Sequence, residues 1–276
     1  MNILGIDFED WFHPELIKRS LTTEKREPKV IDGLNKILEW LRMHEISATF
    51  FVVGELIQYK PDIMDRILND GHEIAFHTMT HKRLHELQKE EFDLELKQFA
   101  KITNKKSKGF RAPTFSLDQN TSWVISCLED NNYTYDSSIV PVKTSMYGIN
   151  NAERIPYKIS ANQIHKNNDT AIIHEFPLAV TKFLGKDIPA AGGFYIRTLP
   201  VGIIKNAIRK YEDIGYPATF YVHSWELTPE FMPRIKMSKK DSFITFHNIH
   251  KTMSKMDKIL EEFEFSSFEN FLRQKN

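Results

Sequence analysis

The sequence predicts an α/β fold made of repeated strand–helix units. Short apolar runs rich in β-branched and aromatic residues alternate with stretches whose apolar residues recur at helical spacing. Strands that alternate with helices at this interval indicate parallel βαβ units. A second observation is that the polar residues with useful chemistry directly follow the apolar runs. In β/α barrels the active site is built at this end of the strands.

Each element has its own signal in the sequence. The predicted strands are the apolar runs at residues 2–6, 47–54, 72–76, 109–113, 133–138, 171–176 and 219–227. The predicted helices have apolar residues at 3.6-residue spacing and cover residues 30–41, 56–68 with an interruption near Pro61, 88–103, 119–130, 201–214 and 252–263. The alternation breaks at residues 140–170 and 178–198, and the second of these contains Gly192 and Gly193, which permit a tight turn.

Composition excludes several classes of protein. The chain has 276 residues, enough for a large buried core, and 41% of them are hydrophobic. Lys plus Arg and Asp plus Glu each total 37, and this balance argues against binding of nucleic acid. The single cysteine, Cys127, excludes an intramolecular disulfide and lies in an apolar run typical of a core. We expect one domain over residues 1–276, with residues 228–276 packed on it.

The segment MNILGIDFED at the amino terminus is not that of a signal peptide, because no basic stretch precedes its apolar residues. No apolar run approaches the roughly 18 residues that a membrane span requires. We therefore expect a cytoplasmic protein without a membrane span.

The segment GHEIAFHTMTH, residues 71–81, carries two histidines four residues apart. On a helical turn, His77 and His81 would project from the same side and could reach one divalent cation. A pair of surface or capping histidines at a strand-to-helix corner is the alternative. Further strand-end residues favour the metal site: Asp7, Glu9, Asp10, Arg111, Asp136, His174, Glu175 and His223.

Two histidines and one carboxylate make an open site for Zn²⁺ or a similar divalent ion. Such an ion polarises a carbonyl and lowers the pKa of bound water. A second carboxylate could accept the proton of the water, and a third imidazole could protonate a leaving amine. The residue set is that of a metal-assisted amide hydrolase.

Four motifs resemble those of the polysaccharide deacetylases with NodB homology, carbohydrate esterase family four, and occur in the order of that family. They are IDFED at 6–10, HTMTH at 77–81, RAPTF at 111–115 and FYVHSWE at 220–226. The stretches EFPL and GGFYIR add a resemblance to one branch with a characteristic C-terminal segment, often found with exopolysaccharide or glycan-assembly genes. The resemblance implies a distorted (β/α)₇ barrel.

The resemblance also implies roles for individual residues. Asp7 would be the general base, Arg111 would orient it, and His223 would be the general acid. His77 and His81 would bind the metal, with either Glu9 or Asp10 as the third ligand. Strand alternation favours Glu9, and an early end to the strand would favour Asp10. Substrate contacts are predicted for Pro113, Phe115, Asp136, His174, Glu175 and Trp225.

Structural roles are the alternative at several of these positions. Arg111 could be a buried ion-pair residue, Asp136 could cap a turn, and His174 and Glu175 could simply close a strand.

Three hypotheses about function follow. The first is a metal-dependent N-deacetylase, with one divalent ion, Zn²⁺ being the first choice, acting on an N-acetylated sugar in a glycan or glycan precursor. The second is a hydrolase of the same fold that acts on a non-sugar, cyclic amide. The third is a non-catalytic glycan-binding relative. The sequence does not reveal the oligomeric state.

Overall fold

The computed structural model describes residues 1–21 and 26–275. Residues 22–25, within the polar segment before Pro28, and residue 276, the last residue of the predicted domain, lie outside the described residues. The strands are β1 (Asn2–Phe8), β2 (Thr49–Val52), β3 (Glu73–Phe76), β4 (Gly109–Phe110), β5 (Tyr135–Asp136), β6 (Tyr157–Ile159), β7 (Ile173–Glu175), β8 (Val180–Phe183), β9 (Lys186–Pro189), β10 (Thr219–His223) and β11 (Phe265–Ser266).

The α-helices lie between and after these strands. They are α1 (Glu15–Lys18), α2 (Leu34–Met43), α3 (Gly54–Tyr59), α4 (Asp62–Asn69), α5 (Lys89–Ile102), α6 (Trp123–Asp130), α7 (Gly193–Thr198), α8 (Val201–Asp213), α9 (Ser224–Leu227), α10 (Lys239–Phe246), α11 (Thr252–Leu260) and α12 (Phe268–Lys275).

Among the described residues, seven parallel strands form the barrel, in the order β10-β1-β2-β3-β4-β5-β7. Strand β6 adds to β7 in the antiparallel direction, and β8 and β9 form a separate hairpin. A parallel bridge between Leu178, which follows β7, and Thr219, the first residue of β10, closes the ring. The distorted (β/α)₇ barrel that the family resemblance implies is confirmed.

Alternate residues of β1 belong to two different cores. Leu4, Ile6 and Phe8 join the large cluster with the helices, whereas Ile3 joins an inner cluster of mostly aromatic residues. Gly5 lies between Ile3 and Asp7 on this inner side. A Cβ at Gly5 would lie 2.7 Å from Nη1 of Arg111, so the absence of a side chain makes room for the guanidinium.

The C-terminal segment completes the barrel. Strand β11 pairs with β1 in parallel, and Phe268 at the start of α12 stacks on Tyr135 with ring centroids 5.0 Å apart. The buried Glu73 accepts hydrogen bonds from Tyr135 and from the backbone N–H of Glu269. The chain after residue 264 therefore supplies part of the barrel interior.

The structure corrects three predicted elements. His77–His81 is an irregular loop with positive φ at Thr78 and His81, where the spacing predicted a helical turn. The predicted strand 109–113 ends at Phe110. The predicted strand 219–227 ends at His223, because Glu226 caps α9 by accepting from the N–H of His223 over 3.1 Å. Among the described residues, no helix is long and apolar enough to span a membrane.

Candidate active site

A buried ion pair joins the ends of β1 and β4. Nη1 of Arg111 lies 2.6 Å from Oδ1 of Asp7, and the side chain of Arg111 is fully buried. The same guanidinium donates from Nε to the carbonyl of Ser137 over 3.0 Å and from Nη2 to its Oγ over 2.9 Å. Its Cζ lies 4.0 Å from the centre of the Phe51 ring. These contacts hold the Asp7 carboxylate in one place, at the end of the barrel where the carboxyl ends of the strands lie.

Glu9, His77 and His81 form a compact group in which one potential ligand atom from each lies within 4.8 Å of the others. Nε2 of His81 is 2.6 Å from Oε2 of Glu9, and this buried oxygen has no hydrogen bond of ordinary geometry among the described residues. Nδ1 of His77 lies 2.7 Å from the carbonyl of Arg111 and must donate to it, so its Nε2 carries the free lone pair. The donor set fits a divalent metal ion.

The electrostatics of this group also suit a cation. Burial raises the pKa of Glu9, but the neighbouring His81, His223 and His77 outweigh that effect and hold it well below its usual range. Burial lowers the pKa of His77 to about 4, so this imidazole is neutral at pH 7. A charged carboxylate and a neutral imidazole are the forms that bind metals.

Glu9 is held by the helix that follows β10. The indole N–H of Trp225 donates to Oε1 of Glu9 over 2.8 Å, and Oγ of Ser224 donates to the backbone carbonyl of Glu9 over 2.6 Å. His13 stacks on His81 with ring centroids 5.5 Å apart, and is itself fixed by a contact of 2.6 Å with Glu55. These neighbouring side chains therefore hold Glu9 and His81 in fixed orientations.

Asp10, the alternative third ligand, lies elsewhere. Its carboxylate accepts hydrogen bonds from the backbone N–H groups of Trp11, Lys29, Val30 and Ile31 over 2.8 to 3.2 Å. Asp10 therefore anchors the chain before α2. Of the two carboxylates left open by the sequence, the structure brings Glu9 to the histidines.

His223 ends β10 and faces the same group, with its Nε2 3.8 Å from Oε1 of Glu9. Its Nδ1 lies 2.6 Å from Oε2 of Glu226, and Oε1 of Glu226 lies 2.7 Å from Nε of Arg197. Burial lowers the pKa of His223, but Glu226, Glu9 and Asp7 outweigh it and raise the pKa to about 9. The imidazole is therefore protonated at neutral pH and can donate a proton.

These groups line a cavity of about 130 Å³ at the carboxyl ends of the strands. Asp7, Glu9, His77, His81 and His223 are on its walls. Of the predicted substrate contacts, Phe115 and Trp225 line the cavity. Pro113, Asp136, His174 and Glu175 are not among its lining residues.

Asp136 and Glu175 contact each other instead. They are register partners on β5 and β7, both are fully buried, and each has one oxygen without an ordinary hydrogen bond. Burial raises both pKa values, that of Asp136 to about 6, so the pair shares a proton near neutral pH. Ser138 donates to Asp136, and the N–H of Ile139 donates to Glu175. Because these hydrogen bonds come from the residues that follow β5, the Asp136–Glu175 pair holds that segment in place.

Sequence reasoning missed Glu226 and Arg197 as members of the site. Glu226 is three residues after His223, a spacing at which a strand-to-helix corner brings the side chains together. Arg197 lies in the GGFYIR stretch, but nothing in that stretch indicates that Arg197 pairs with Glu226, 29 positions later.

Two family models match the chain. Residues 29–135 match the polysaccharide deacetylase model, and residues 137–273 match a domain of unknown function, DUF3473. Arg111 lies in the first matched region, and Arg197, His223 and Glu226 lie in the second.

Curated relatives match over short stretches. The chain is 37% identical over 70 residues to a peptidoglycan-N-acetylglucosamine deacetylase of Bacillus cereus, covering 25% of this chain and 26% of that one. It is 40% identical over 63 residues to a chitooligosaccharide deacetylase of Rhizobium leguminosarum bv. trifolii, covering 23% and 29%. The chain thus matches about a quarter of the length of these relatives.

Solved structures share the fold over nearly the whole chain. A protein of Mycobacterium smegmatis, provisionally named as a polysaccharide deacetylase, superposes with a TM-score of 0.61 at 14% identity, covering 99% of this chain and 90% of that one. A pseudoenzyme of carbohydrate esterase family four from Bacillus anthracis superposes with a TM-score of 0.50 at 13% identity, covering 98% and 64%. At these identities the likeness establishes the fold.

Proposed function

Since the chain belongs to the polysaccharide deacetylase family, we propose that it is a metal-dependent hydrolase that removes an N-acetyl group from an amino sugar in a glycan or glycan precursor. The observation that carries this proposal is the meeting of three functions at one cavity: the Glu9–His77–His81 group, the Asp7–Arg111 pair and the protonated His223. Hydrolysis of an amide needs a base, an acid and stabilisation of a negative oxygen, and these groups supply them.

The deacetylase family is metal-dependent, and Glu9, His77 and His81 would hold the ion here. We propose Zn²⁺, because two imidazoles and one carboxylate are the ligand set of many catalytic zinc sites. When bound, the ion would supply Lewis-acid polarisation of the acetyl carbonyl and activation of water. Trp225 donates a hydrogen bond to Glu9, and His13 stacks on His81. These contacts keep two of the three proposed ligands in a fixed orientation.

The remaining roles belong to residues of the chain itself. Asp7, held by Arg111, accepts the proton of the attacking water. His223, held protonated by Glu226, gives its proton to the nitrogen that leaves the acetyl carbon. Before the next turnover, Asp7 releases the proton that it took from the water, and His223 takes up a proton to replace the one that it gave to the nitrogen. Phe115 and Trp225 line the cavity and offer apolar ring surface to the sugar.

The names of the relatives support the substrate class. Those named above are deacetylases of peptidoglycan N-acetylglucosamine and of chitooligosaccharides. Both names specify an N-acetylated carbohydrate, and we propose the same class for this protein. The cytoplasmic location expected from the sequence stays a prediction that cell fractionation would test.

The test is acetate release from an N-acetylglucosamine oligomer by the purified protein, before and after treatment with a chelator and readdition of Zn²⁺. We expect activity to be lost and regained. The double variant His77→Ala/His81→Ala should bind no Zn²⁺ and release no acetate. His85→Ala is the matched control, since this exposed histidine pairs with Asp118 away from the cavity. Stoichiometric zinc in the double variant would mean that the metal site is elsewhere.

A further inference from the structure

One stretch of the surface carries an excess of positive charge. Residues 232–251, which come after α9 and include α10, contain five lysines and arginines but a single carboxylate, that of Asp241. Over the whole chain the basic and acidic residues are equal at 37 each, so the excess is local. The five basic residues are all exposed: Arg234, Lys236, Lys239, Lys240 and Lys251.

The acidic residues nearest to this stretch along the chain are paired elsewhere. Asp241 pairs with Arg19, just after α1, at 3.5 Å. Glu230, two residues before the stretch, pairs with Lys36 of α2 at 2.5 Å. Among the residues that the structure describes, none of the five basic side chains of the stretch forms an ion pair. Their charges are therefore free to meet an external anion.

Helix α10 carries part of this charge beside the cavity. Ile244 and Thr245 of this helix line the cavity. With about 3.6 residues per turn, Phe243 projects between Lys239 and Lys240 on a different side of the helix. Both lysines are exposed. The helix therefore separates the cavity from an exposed stripe made of two lysines and one phenylalanine.

Phe243 has little cover for a phenylalanine. Its side chain is 54% exposed, and its ring centroid lies 6.0 Å from that of Phe194, which lines the cavity. Leu94 of α5, at 66%, is another exposed apolar residue, but it lies between the acidic Asp93 and Glu95. Phe243 therefore combines an exposed ring, basic neighbours and a position one ring away from the cavity.

The other basic residues lie beside the same helix. Arg234 and His250 line one surface depression together with Ser242 of α10. Lys236 is two residues from Arg234, and Lys251 directly follows His250. We call the surface formed by six exposed residues the basic face: Arg234, Lys236, Lys239, Lys240, Phe243 and Lys251.

The composition of the basic face is complementary to an anionic membrane surface. Clusters of about 4–8 lysines and arginines bind anionic lipid headgroups, and five are present here. An exposed aromatic ring among lysines is typical of a helix at the lipid–water interface, because the ring enters the boundary of the acyl chains while the lysine stems extend to the phosphates. A soluble acidic partner would use the charges but gives no reason for the exposed ring.

We propose that the basic face docks on a membrane surface that contains anionic phospholipid. Docking places the neighbouring cavity close to that surface, where N-acetylated sugars carried by lipids are within its reach. The second statement rests on the proposed function, whereas the docking does not. Vesicle binding therefore tests the docking, and acetate release tests the presentation of lipid-carried sugars.

The binding experiment uses the purified protein and sedimented vesicles of phosphatidylcholine, with or without phosphatidylglycerol. We expect binding only to vesicles that contain phosphatidylglycerol. This binding should weaken at high salt, because the screening length falls from about 10 Å at 0.1 M to about 3 Å at 1 M. Failure to bind, or equal binding to both kinds of vesicle, would overturn the proposal.

Two adjacent lysines test the contribution of charge. Lys239→Gln/Lys240→Gln should lower the partition coefficient by roughly twentyfold, since each basic residue near an anionic surface contributes about fivefold. Lys105→Gln/Lys106→Gln is the matched control. These exposed lysines precede β4 and therefore lie at the end of the barrel opposite to the cavity. Equal losses in the two variants would exclude the basic face as the docking site.

Phe243→Ala tests the contact of the ring with lipid. Transfer of a phenylalanine side chain out of water typically contributes roughly tenfold or more, and the partition coefficient should fall by about that factor. Leu94→Ala is the control, since it removes an exposed apolar side chain from α5. Binding that depends on Lys239 and Lys240 but not on Phe243 would indicate a soluble acidic partner and would overturn the proposed membrane.

Thermal unfolding establishes that each variant is folded. Should Lys239→Gln/Lys240→Gln unfold, Arg234→Gln/Lys236→Gln removes two charges from the same face. The vesicle assay reads this second pair in the same way, and an unchanged partition coefficient would overturn the proposal.

Turnover distinguishes this inference from the proposed function. On a soluble N-acetylglucosamine oligomer, the variant Lys239→Gln/Lys240→Gln should match the wild type, since neither lysine lines the cavity. On an N-acetylglucosaminyl lipid in vesicles with phosphatidylglycerol, its kcat/KM should fall by roughly the same factor as the partition coefficient. Equal activity of variant and wild type on this lipid would overturn the presentation of lipid-carried sugars. If no N-acetylated sugar loses acetate, the proposed function fails, and vesicle binding still decides the docking.

Discussion

Trp225 holds Glu9 through a hydrogen bond of 2.8 Å from the indole N–H to Oε1, across 216 positions of the sequence. Trp225→Phe keeps the ring packed in the cavity wall but removes this donor. Outer hydrogen bonds of this kind typically contribute 10–100-fold to metal affinity, and we expect a loss of about that size for Zn²⁺. Competition with a chromophoric chelator measures it. Trp40→Phe is the control, because the indole of Trp40 bonds to Asp257 instead. Equal losses in both variants would contradict the role of Trp225.

Arg111 should be essential for both activity and stability. Arg111→Lys keeps the charge but loses the planar fork that contacts Asp7 and Ser137, so kcat should fall with little unfolding. Arg111→Ala leaves the buried Asp7 without its partner, and we expect a loss of about 3–5 kcal/mol in the free energy of unfolding. Denaturant titration and steady-state kinetics separate the two effects. Asp7→Asn/Arg111→Met should be more stable than Arg111→Ala, since no uncompensated charge remains. The reverse order would exclude the ion pair as the cause.

Glu226 should set the alkaline limit of activity. The neighbouring carboxylate of Glu226 raises the pKa of His223 to about 9, and the acid must be protonated to act. Glu226→Gln removes the negative charge, so the pKa of His223 falls and the imidazole loses its proton at lower pH. The alkaline limb of the kcat profile should therefore move to lower pH, while the acidic limb stays in place. An unchanged alkaline limb would assign it to a group other than His223.

His223→Ala should affect substrates according to their leaving groups. An amine leaving from an N-acetyl sugar needs a proton, whereas the phenolate leaving from an activated aryl acetate does not. We expect a large loss of kcat on the sugar, of roughly 10²–10⁴-fold, and a much smaller loss on the ester. Asp7→Asn is the contrast, since removal of the base should reduce both reactions. Equal losses on the two substrates for His223→Ala would exclude it as the general acid.

Glu73 should make the stability of the fold depend on pH. Burial raises its pKa from 4.5 to about 7, although Thr49, Tyr135 and the N–H of Glu269 donate to it. Between these values the folded protein binds a proton that the unfolded chain releases, so stability falls as the pH rises from 4.5 to about 7. A pKa change of this size corresponds to about 3 kcal/mol.

The variant Glu73→Gln checks this dependence, because its amide cannot ionise. Urea titrations of wild type and variant at pH 5 and pH 7.5 measure the two free energies of unfolding. The decline over this range should be smaller in Glu73→Gln than in the wild type. Parallel declines would show that other groups cause the pH dependence. Glu129→Gln is the control, as this carboxyl is less buried and lies at the end of α6.

The sequence predicted the location of a strand or a site residue correctly where a local pattern alone determines that location. Alternating apolar runs predicted the parallel strands, and Asp7, His77, His81, Arg111 and His223 lie at the carboxyl ends of those strands or in the loops just after them. Asp10 and Glu9 could not be distinguished, because distant segments decide between them. The amides of Lys29, Val30 and Ile31 bind Asp10, and Ser224 and Trp225 bind Glu9.

The predicted substrate residues show the same limit. Asp136 and Glu175 both end strands of the barrel, and no local pattern indicates that their side chains would contact each other. Likewise, the 28 residues between Arg197 and Glu226 include α8 and β10, and only the packed barrel brings the two side chains to 2.7 Å. Long-range pairing of charged side chains depends on the complete fold.

The pairing of β1 with strands far along the chain has a consequence during protein synthesis. Ile3 pairs with Thr219 of β10 and with Ser266 of β11. At about 5–20 residues per second, a ribosome needs on the order of ten seconds or more to make the intervening chain. Throughout this time β1 can pair only with β2, and its other edge presents free amides to neighbouring nascent chains. Chaperones that shield exposed strands should therefore matter most for this protein before residue 219 emerges, and fragments that stop short of it should aggregate.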